Sequence, residues 1–224
     1  MQCIRSSCEE NNRGVSLLTA GRAQEAMMVL QGALGIVKNA VNQHDEAISQ
    51  GLPIVNDKSD LEKSDFAIRE SSVALTTLES SQGYLYNRPL LLGEPGTDDL
   101  EGVLSLYSAV ILFNLALTSH VMGHSNKENS FKRATVLYKM SIQLLMNCST
   151  LGATPMVLAL LALNNKANIH YDYCNYNQAT SCLNEISRIL QLSDYAYATL
   201  PESDIEGLLL NIMILERPSG AKAA

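Results

Sequence analysis

Asn11-Asn12-Arg13-Gly14-Val15-Ser16-Leu17-Leu18-Thr19-Ala20-Gly21-Arg22-Ala23-Gln24-Glu25-Ala26-Met27-Met28-Val29-Leu30-Gln31-Gly32-Ala33 is the stretch whose reading decides the fold. Its small residues fall at Gly14, Ala26 and Ala33 and apolar ones at Leu17 and Leu30, with Gly21-Arg22 dividing the two halves. That is the pattern of a helical hairpin. Two helices cross closely only where the side chains between them are small, so Gly14 on the first helix is expected to meet Ala26 on the second.

The same register returns twice. From Gly14 the steps to Ala26, Leu30 and Ala33 are twelve, four and three, and Ala167, Ala179, Leu183 and Ile186 repeat them. The middle copy runs Ala116, Ala134, Tyr138 and Ser141, its first step being eighteen, so about six residues within 124–130 read as inserted in its turn. Each copy carries an asparagine two positions before its small first-helix residue: Asn12, Asn114 and Asn165.

These three blocks resemble the tetratricopeptide (TPR) repeat, which also favours asparagine at that position. They cover roughly residues 7–34, 109–142 and 160–191. The whole layout also resembles short TPR-like proteins of unassigned function. The resemblance implies an all-α fold, a TPR-like right-handed superhelix of helical hairpins, whose first helices line a concave peptide-binding groove. Carried over position by position, that groove comprises Asn11, Asn12, Val15 and Leu18 from the first hairpin. The second supplies Phe113, Asn114, Leu117 and His120, and the third Asn164, Asn165, Asn168 and Tyr171.

Working outward, a single domain is expected over 1–224. Hairpin one takes 4–50, an irregular or partly extended insertion 51–97, hairpin two 98–148, hairpin three 154–192 and a capping helix 202–215. Gly51-Leu52-Pro53 should stop the second helix. Residues 53–64 read as a polar loop, and Phe66 to Glu79 fit neither a helical stripe nor clean alternation. Gly83 to Leu92 reads as extended because Pro89 blocks a helix interior. A turn follows at Gly93-Glu94-Pro95-Gly96, and Asp98 or Asp99 is placed to cap the next helix. The apolar helix after Pro201 is expected to cover the face that a terminal repeat leaves wet.

Composition narrows the function classes. Hydrophobic residues make up 46% of the chain, which suits a folded protein. A formal net charge of −7 without a Lys/Arg cluster argues against a nucleic-acid surface and against adsorption to an anionic membrane. The amino terminus shows no apolar signal segment, and the apolar run Val103 to Leu117 is too short to span a bilayer. Five cysteines with no CxxC pair point to reduced thiols, hence a cytoplasmic setting with the nucleus as the other reducing compartment.

Candidate chemistry is thin. His120 and His124 are spaced to share a metal on one helix, but Gly123 lies between them and no third ligand follows, so a helix-end pair is the expectation. His170, Asp172 and Cys174 cluster near a turn without an oxyanion hole. Asp57, Asp60, Glu62 and Asp65 lack the spacing of a calcium loop, and Gly93 to Gly96 lack the lysine of a phosphate loop. No catalytic residue, metal or cofactor is therefore expected, and the chain reads as a non-enzyme.

The expectation is a protein–protein interaction adaptor that grips an extended peptide in an Asn-rich groove. Asparagine both donates and accepts, so a row of asparagines can pair with peptide backbone, while Phe113, Leu117 and Tyr171 offer apolar pockets. Asn12, Asn114 and Asn165 have a second reading, tying neighbouring helices together. Lysine and arginine are missing from the positions that grip acidic chaperone tails in TPR proteins, where Asn11, Val15, Leu161 and Asn165 stand instead. The alternative function is a structural subunit of a larger complex or homo-oligomer, joined through 84–92 or 205–215. A distant second alternative is an uncharacterised enzyme, for which no convergent acid, base or metal set stands out.

Overall fold

The computed structural model describes residues 2–50, 68–75, 83–93, 100–124, 128–148, 154–192 and 194–215. The expected helix stop at Gly51-Leu52-Pro53, the loop over 53–64 with its acidic residues, the turn after Gly93 and the Asp98/Asp99 cap lie outside them.

The chain is mostly helical. Among the described residues eight helices, α1 (Gln2–Thr19), α2 (Ala23–Ser49), α3 (Leu100–His124), α4 (Glu128–Asn147), α5 (Thr154–Asp172), α6 (Tyr176–Leu192), α7 (Asp194–Thr199) and α8 (Glu202–Leu215), accompany two short strands, β1 (Ile68–Glu70) and β2 (Leu90–Leu92). The sequence reading has no counterpart to α7 or β1.

α1 forms because Ile4, Cys8, Asn11, Val15 and Leu18 recur at steps of three and four and are buried together. It ends at Gly21, whose φ of +77° suits glycine. There the Arg22 N–H donates to the Leu17 carbonyl at 2.9 Å and the Gly21 N–H to the Leu18 carbonyl at 3.0 Å. These two hydrogen bonds close the helix and turn the chain into α2. α5 ends the same way: Asn175 N–H donates to the His170 carbonyl at 2.8 Å and Cys174 N–H to the Tyr171 carbonyl at 2.9 Å, with Cys174 at φ +57°. Gly21 lies seven residues after Gly14, and Cys174 seven after Ala167.

At the first crossing a Cβ on Gly14 would lie 2.6 Å from Leu30 Cγ and 3.6 Å from the Ala26 carbonyl oxygen. Gly14 and Ala26 therefore meet as the spacing predicts. Ala167 on α5 and Ala179 on α6 are both buried, and these two helices pack on each other.

Helices pack on their neighbours in a row: α1 on α2, α2 on α3, α3 on α4, α4 on α5, α5 on α6, and α6 on α8. α3 is long and apolar enough by composition to cross a membrane, yet most of that stretch is buried inside the fold. Its neighbours on both sides explain its all-round hydrophobicity. β1 pairs antiparallel with β2 in the register Ile68–Leu92, Arg69–Leu91 and Glu70–Leu90, and β2 also packs against α1 and α3.

Candidate functional site

The extended segment 83–92 lies across α8, α5, α3 and α1, and four asparagines hold its backbone. Asn211 Oδ1 accepts the Tyr84 N–H at 2.8 Å while its Nδ2 donates to the Tyr84 carbonyl at 2.6 Å. Asn165 does the same for Tyr86, at 3.0 and 2.8 Å. Asn114 holds Leu90 at 2.9 and 2.7 Å, and Asn12 holds Leu92 at 2.9 and 2.8 Å. Asparagine is suited to this role because one planar amide presents an acceptor and a donor side by side, matching the N–H and C=O of one extended residue. The clamped residues are an even number apart because backbone groups of alternate strand residues point to the same edge.

Further amides brace the ladder. The Tyr84 carbonyl also accepts from Asn164 Nδ2 (3.1 Å) and Asn168 Nδ2 (3.0 Å), and the Leu90 carbonyl from Asn11 Nδ2 (3.0 Å). Asn114 Nδ2 donates to Asn11 Oδ1 at 2.9 Å, and Asn211 Nδ2 to Asn164 Oδ1 at 2.6 Å. Tyr138 Oη sits 3.1 Å from Asn165 Nδ2 and accepts from it.

The opposite edge of the segment is met by main chain. Besides the β1–β2 pairing, Ser71 N–H donates to the Pro89 carbonyl at 2.8 Å and Leu75 N–H to the Asn87 carbonyl at 2.9 Å. Pro89 falls on this edge, so its missing N–H removes no asparagine contact.

Side chains of the segment fit specific places. The Tyr84 ring lies so close to Gly207 that a Cβ there would stand 2.2 Å from it, and the Tyr84 hydroxyl donates to Asp204 Oδ1 at 2.8 Å. Burial, then the Asp204 carboxylate, push this hydroxyl above its ordinary tyrosine range. The buried Tyr86 ring meets Phe113 edge-on at 6.0 Å, and Phe113 meets Tyr138 at 5.7 Å. Arg88 Nη1 pairs with Glu70 Oε2 at 2.9 Å and lies 3.9 Å from Asp204 Oδ2. Leu90 and Leu92 are buried in the main core.

The expected groove residues thus divide. Asn11, Asn12, Asn114, Asn164, Asn165 and Asn168 converge on the segment, and Phe113 reaches it through Tyr86. Val15, Leu18 and Leu117 are buried core residues. Tyr171 packs edge-on against Tyr176 at 5.4 Å. His120 is not the solvated helix-end residue expected. It is buried, stacked on exposed His124 at 5.4 Å with Phe131 and Tyr138 edge-on, and burial, then His124, lower its pKa to about 3. The asparagines expected to line an open trough are instead engaged by the chain's own segment, because that segment supplies the extended backbone the amides suit.

Comparison with protein families, curated proteins and solved structures finds no match to this chain.

The sequence reading missed Asn211, Gly207 and Asp204, which α8 contributes to the Tyr84 end. Reading α8 as a cover for hairpin three or as a joining surface gives these residues no role, and Met213 stands where the other copies place a small residue after the asparagine. The remaining signal is the asparagine itself within an otherwise apolar helix. Cys174, read as part of a polar cluster, occupies the helix-terminating position. Among the described residues no group of three or more His, Cys, Asp or Glu side chains is placed to hold a metal.

Proposed function

We propose that the chain is a protein–protein interaction adaptor of TPR-like design whose groove holds extended peptide backbone, and that its own 83–92 segment occupies the groove until a partner segment replaces it. The observation that carries this reading is the row of two-pronged asparagine clamps on Tyr84, Tyr86, Leu90 and Leu92. Within the segment they hydrogen-bond only main-chain atoms, so the ladder accepts any extended chain whose side chains fit beside it.

The internal segment sets the terms of exchange. A peptide making the same contacts competes with a tethered copy whose effective concentration is on the order of millimolar. Ordinary partners are therefore held off, and exchange requires a weakened internal segment or a partner with additional contacts. Panning random decapeptides on the full-length chain carrying Arg88→Glu tests the reading. Binders lost on adding Asn114→Ala, with helicity unchanged, are expected. A folded variant that selects none through the groove would overturn it.

A second reading, a subunit of a larger assembly or homo-oligomer, is favoured by α8. Leu209, Leu210 and Met213 on its outer face are 40%, 47% and 68% exposed. Sedimentation of the wild type against Leu210→Lys with Met213→Lys distinguishes it, since only the assembly reading expects a larger species that the lysines dissociate.

A further inference from the structure

The internal segment also shows what the groove selects. Resting on the adaptor reading above, we infer that the partner is a protein segment bearing tyrosine, an aromatic residue, arginine and two aliphatic residues at successive two-residue steps, the pattern of Tyr84, Tyr86, Arg88, Leu90 and Leu92.

Each position answers to a feature of the helices or of β1. The first accepts a flat ring, because the missing side chain of Gly207 leaves the space that the Tyr84 ring fills, and a hydroxyl is favoured because Asp204 Oδ1 accepts at 2.8 Å. The third position enters the space beside Phe113 and Tyr138, where an edge-on ring is favoured. The fifth meets two carboxylates, Glu70 and Asp204, of which Asp204 is almost wholly buried and Glu70 about a third exposed. A cation there offsets the burial of Asp204, whereas an acidic residue would add like charge. The seventh and ninth lie in the apolar core beside α3 and α1. Proline is excluded at the first, third, seventh and ninth positions because each donates its N–H to an asparagine.

Direction is selected as well. The segment runs from α8 towards α1, opposite to the order of the helices in the chain, with the tyrosine hydroxyl at one end and the aliphatic pair at the other. Reversal would bring aliphatic side chains to Asp204.

The test uses a fluorescent peptide, Gly-Tyr-Leu-Tyr-Asn-Arg-Pro-Leu-Leu-Leu, copied from residues 83–92, and the full-length chain. Removing the internal ring with Tyr86→Ala should tighten peptide binding about a hundredfold over wild type, the order of effect that truncating a buried aromatic produces. Arg88→Glu, at a half-exposed side chain, serves if Tyr86→Ala does not fold, and should tighten binding about tenfold. Peptides with the first tyrosine changed to phenylalanine, or the arginine to alanine, should bind each variant several-fold more weakly, and adding Asn114→Ala should abolish binding.

Folded variants that bind scrambled decapeptides as tightly as the native one would overturn the selectivity and leave the adaptor reading standing. Folded variants that bind neither peptide would overturn both. A variant that instead forms a dimer by sedimentation, competing with the peptide, would replace the partner protein with a second copy of this chain.

Discussion

Asn114 holds both main-chain polar groups of Leu90, accepting its N–H at 2.9 Å and donating to its carbonyl at 2.7 Å, with both residues buried. Asn114→Ala strips a buried donor and weakens a buried acceptor at once, at about 1–3 kcal/mol for each unsatisfied group. A loss of roughly 2–5 kcal/mol in urea unfolding is expected, against about 1 kcal/mol for Asn12→Ala at its partly exposed end. Asn165→Asp should be at least as costly as Asn165→Ala, since a carboxylate cannot donate to the Tyr86 carbonyl. Equal, negligible shifts at these sites would remove the ladder from the account of stability.

Glycines on the first hairpin should respond in opposite directions. Gly14→Ala drives a methyl into Leu30 and is expected to cost about 1–3 kcal/mol. Gly32 is helical with open space where its Cβ would stand, so Gly32→Ala should stabilise by about 0.5–1 kcal/mol. Ala26→Leu and Ala179→Leu should behave like Gly14→Ala, whereas leucine at exposed Gln24 or Gln178 should change little. Thermal melts of the six variants decide the register.

Cys174→Gly is expected to stabilise. Cys174 holds φ +57° at the position that Gly21 takes after α1, and a left-handed conformation costs a residue with a Cβ about 1–2 kcal/mol. Its thiol is exposed, so little packing is lost. A raised melting temperature would confirm a terminating role; a lowered one would show that the thiol contributes more than its backbone costs.

Phe113→Ala should unfold the chain more readily by about 3–5 kcal/mol, because its buried ring bridges Tyr86 and Tyr138. Tyr171→Ala, at a half-buried ring on α5, should cost much less. Of the three residues expected from sequence to supply apolar pockets, Phe113 and Leu117 are buried and Tyr171 is half-buried, and denaturant titration of the single mutants separates Phe113 from Tyr171.

Acid should destabilise the fold through His120. Its folded pKa lies near 3, below the unfolded value of about 6.5, so the unfolded chain binds more protons between these limits and stability falls as pH drops through them. His170, also lowered by burial and then by Lys166, contributes with the same sign. From pH 7 to 4.5 the His120 share is roughly 2–3 kcal/mol at about 1.4 kcal/mol per pH unit below 6.5. Urea unfolding at both pH values should show that His120→Phe removes this share while keeping the aromatic contacts.

Local spacing was enough to reveal the hairpins. Gly14, Ala26 and Leu30 announce their crossing because helix periodicity places them on facing stripes, and Ala167 and Ala179 follow the same rule. Asn12, Asn114 and Asn165 stood out for a similar reason, as amides at matching points of apolar helices. β1 was illegible because three residues whose alternation is half-buried carry little periodic signal. Asn211 was hidden by an α8 that lacks the small residue of the other copies, and His120 by a turn that leaves no trace of Phe131 folding back over it.

By itself the sequence determined the mostly helical class, the first close crossing, the extended character of Gly83 to Leu92 and a row of amides able to hold a backbone. These are consequences of periodicity, side-chain size and hydrogen-bonding capacity, all readable within a few turns of chain. Tertiary structure alone decided that the row and the extended segment belong to each other. Leu92 and Asn12 are 80 residues apart, and Tyr84 and Asn211 127 apart. Such pairing follows from the stacking of α1, α3, α5 and α8 into one surface, where burial leaves an extended backbone no water and the asparagines take its place.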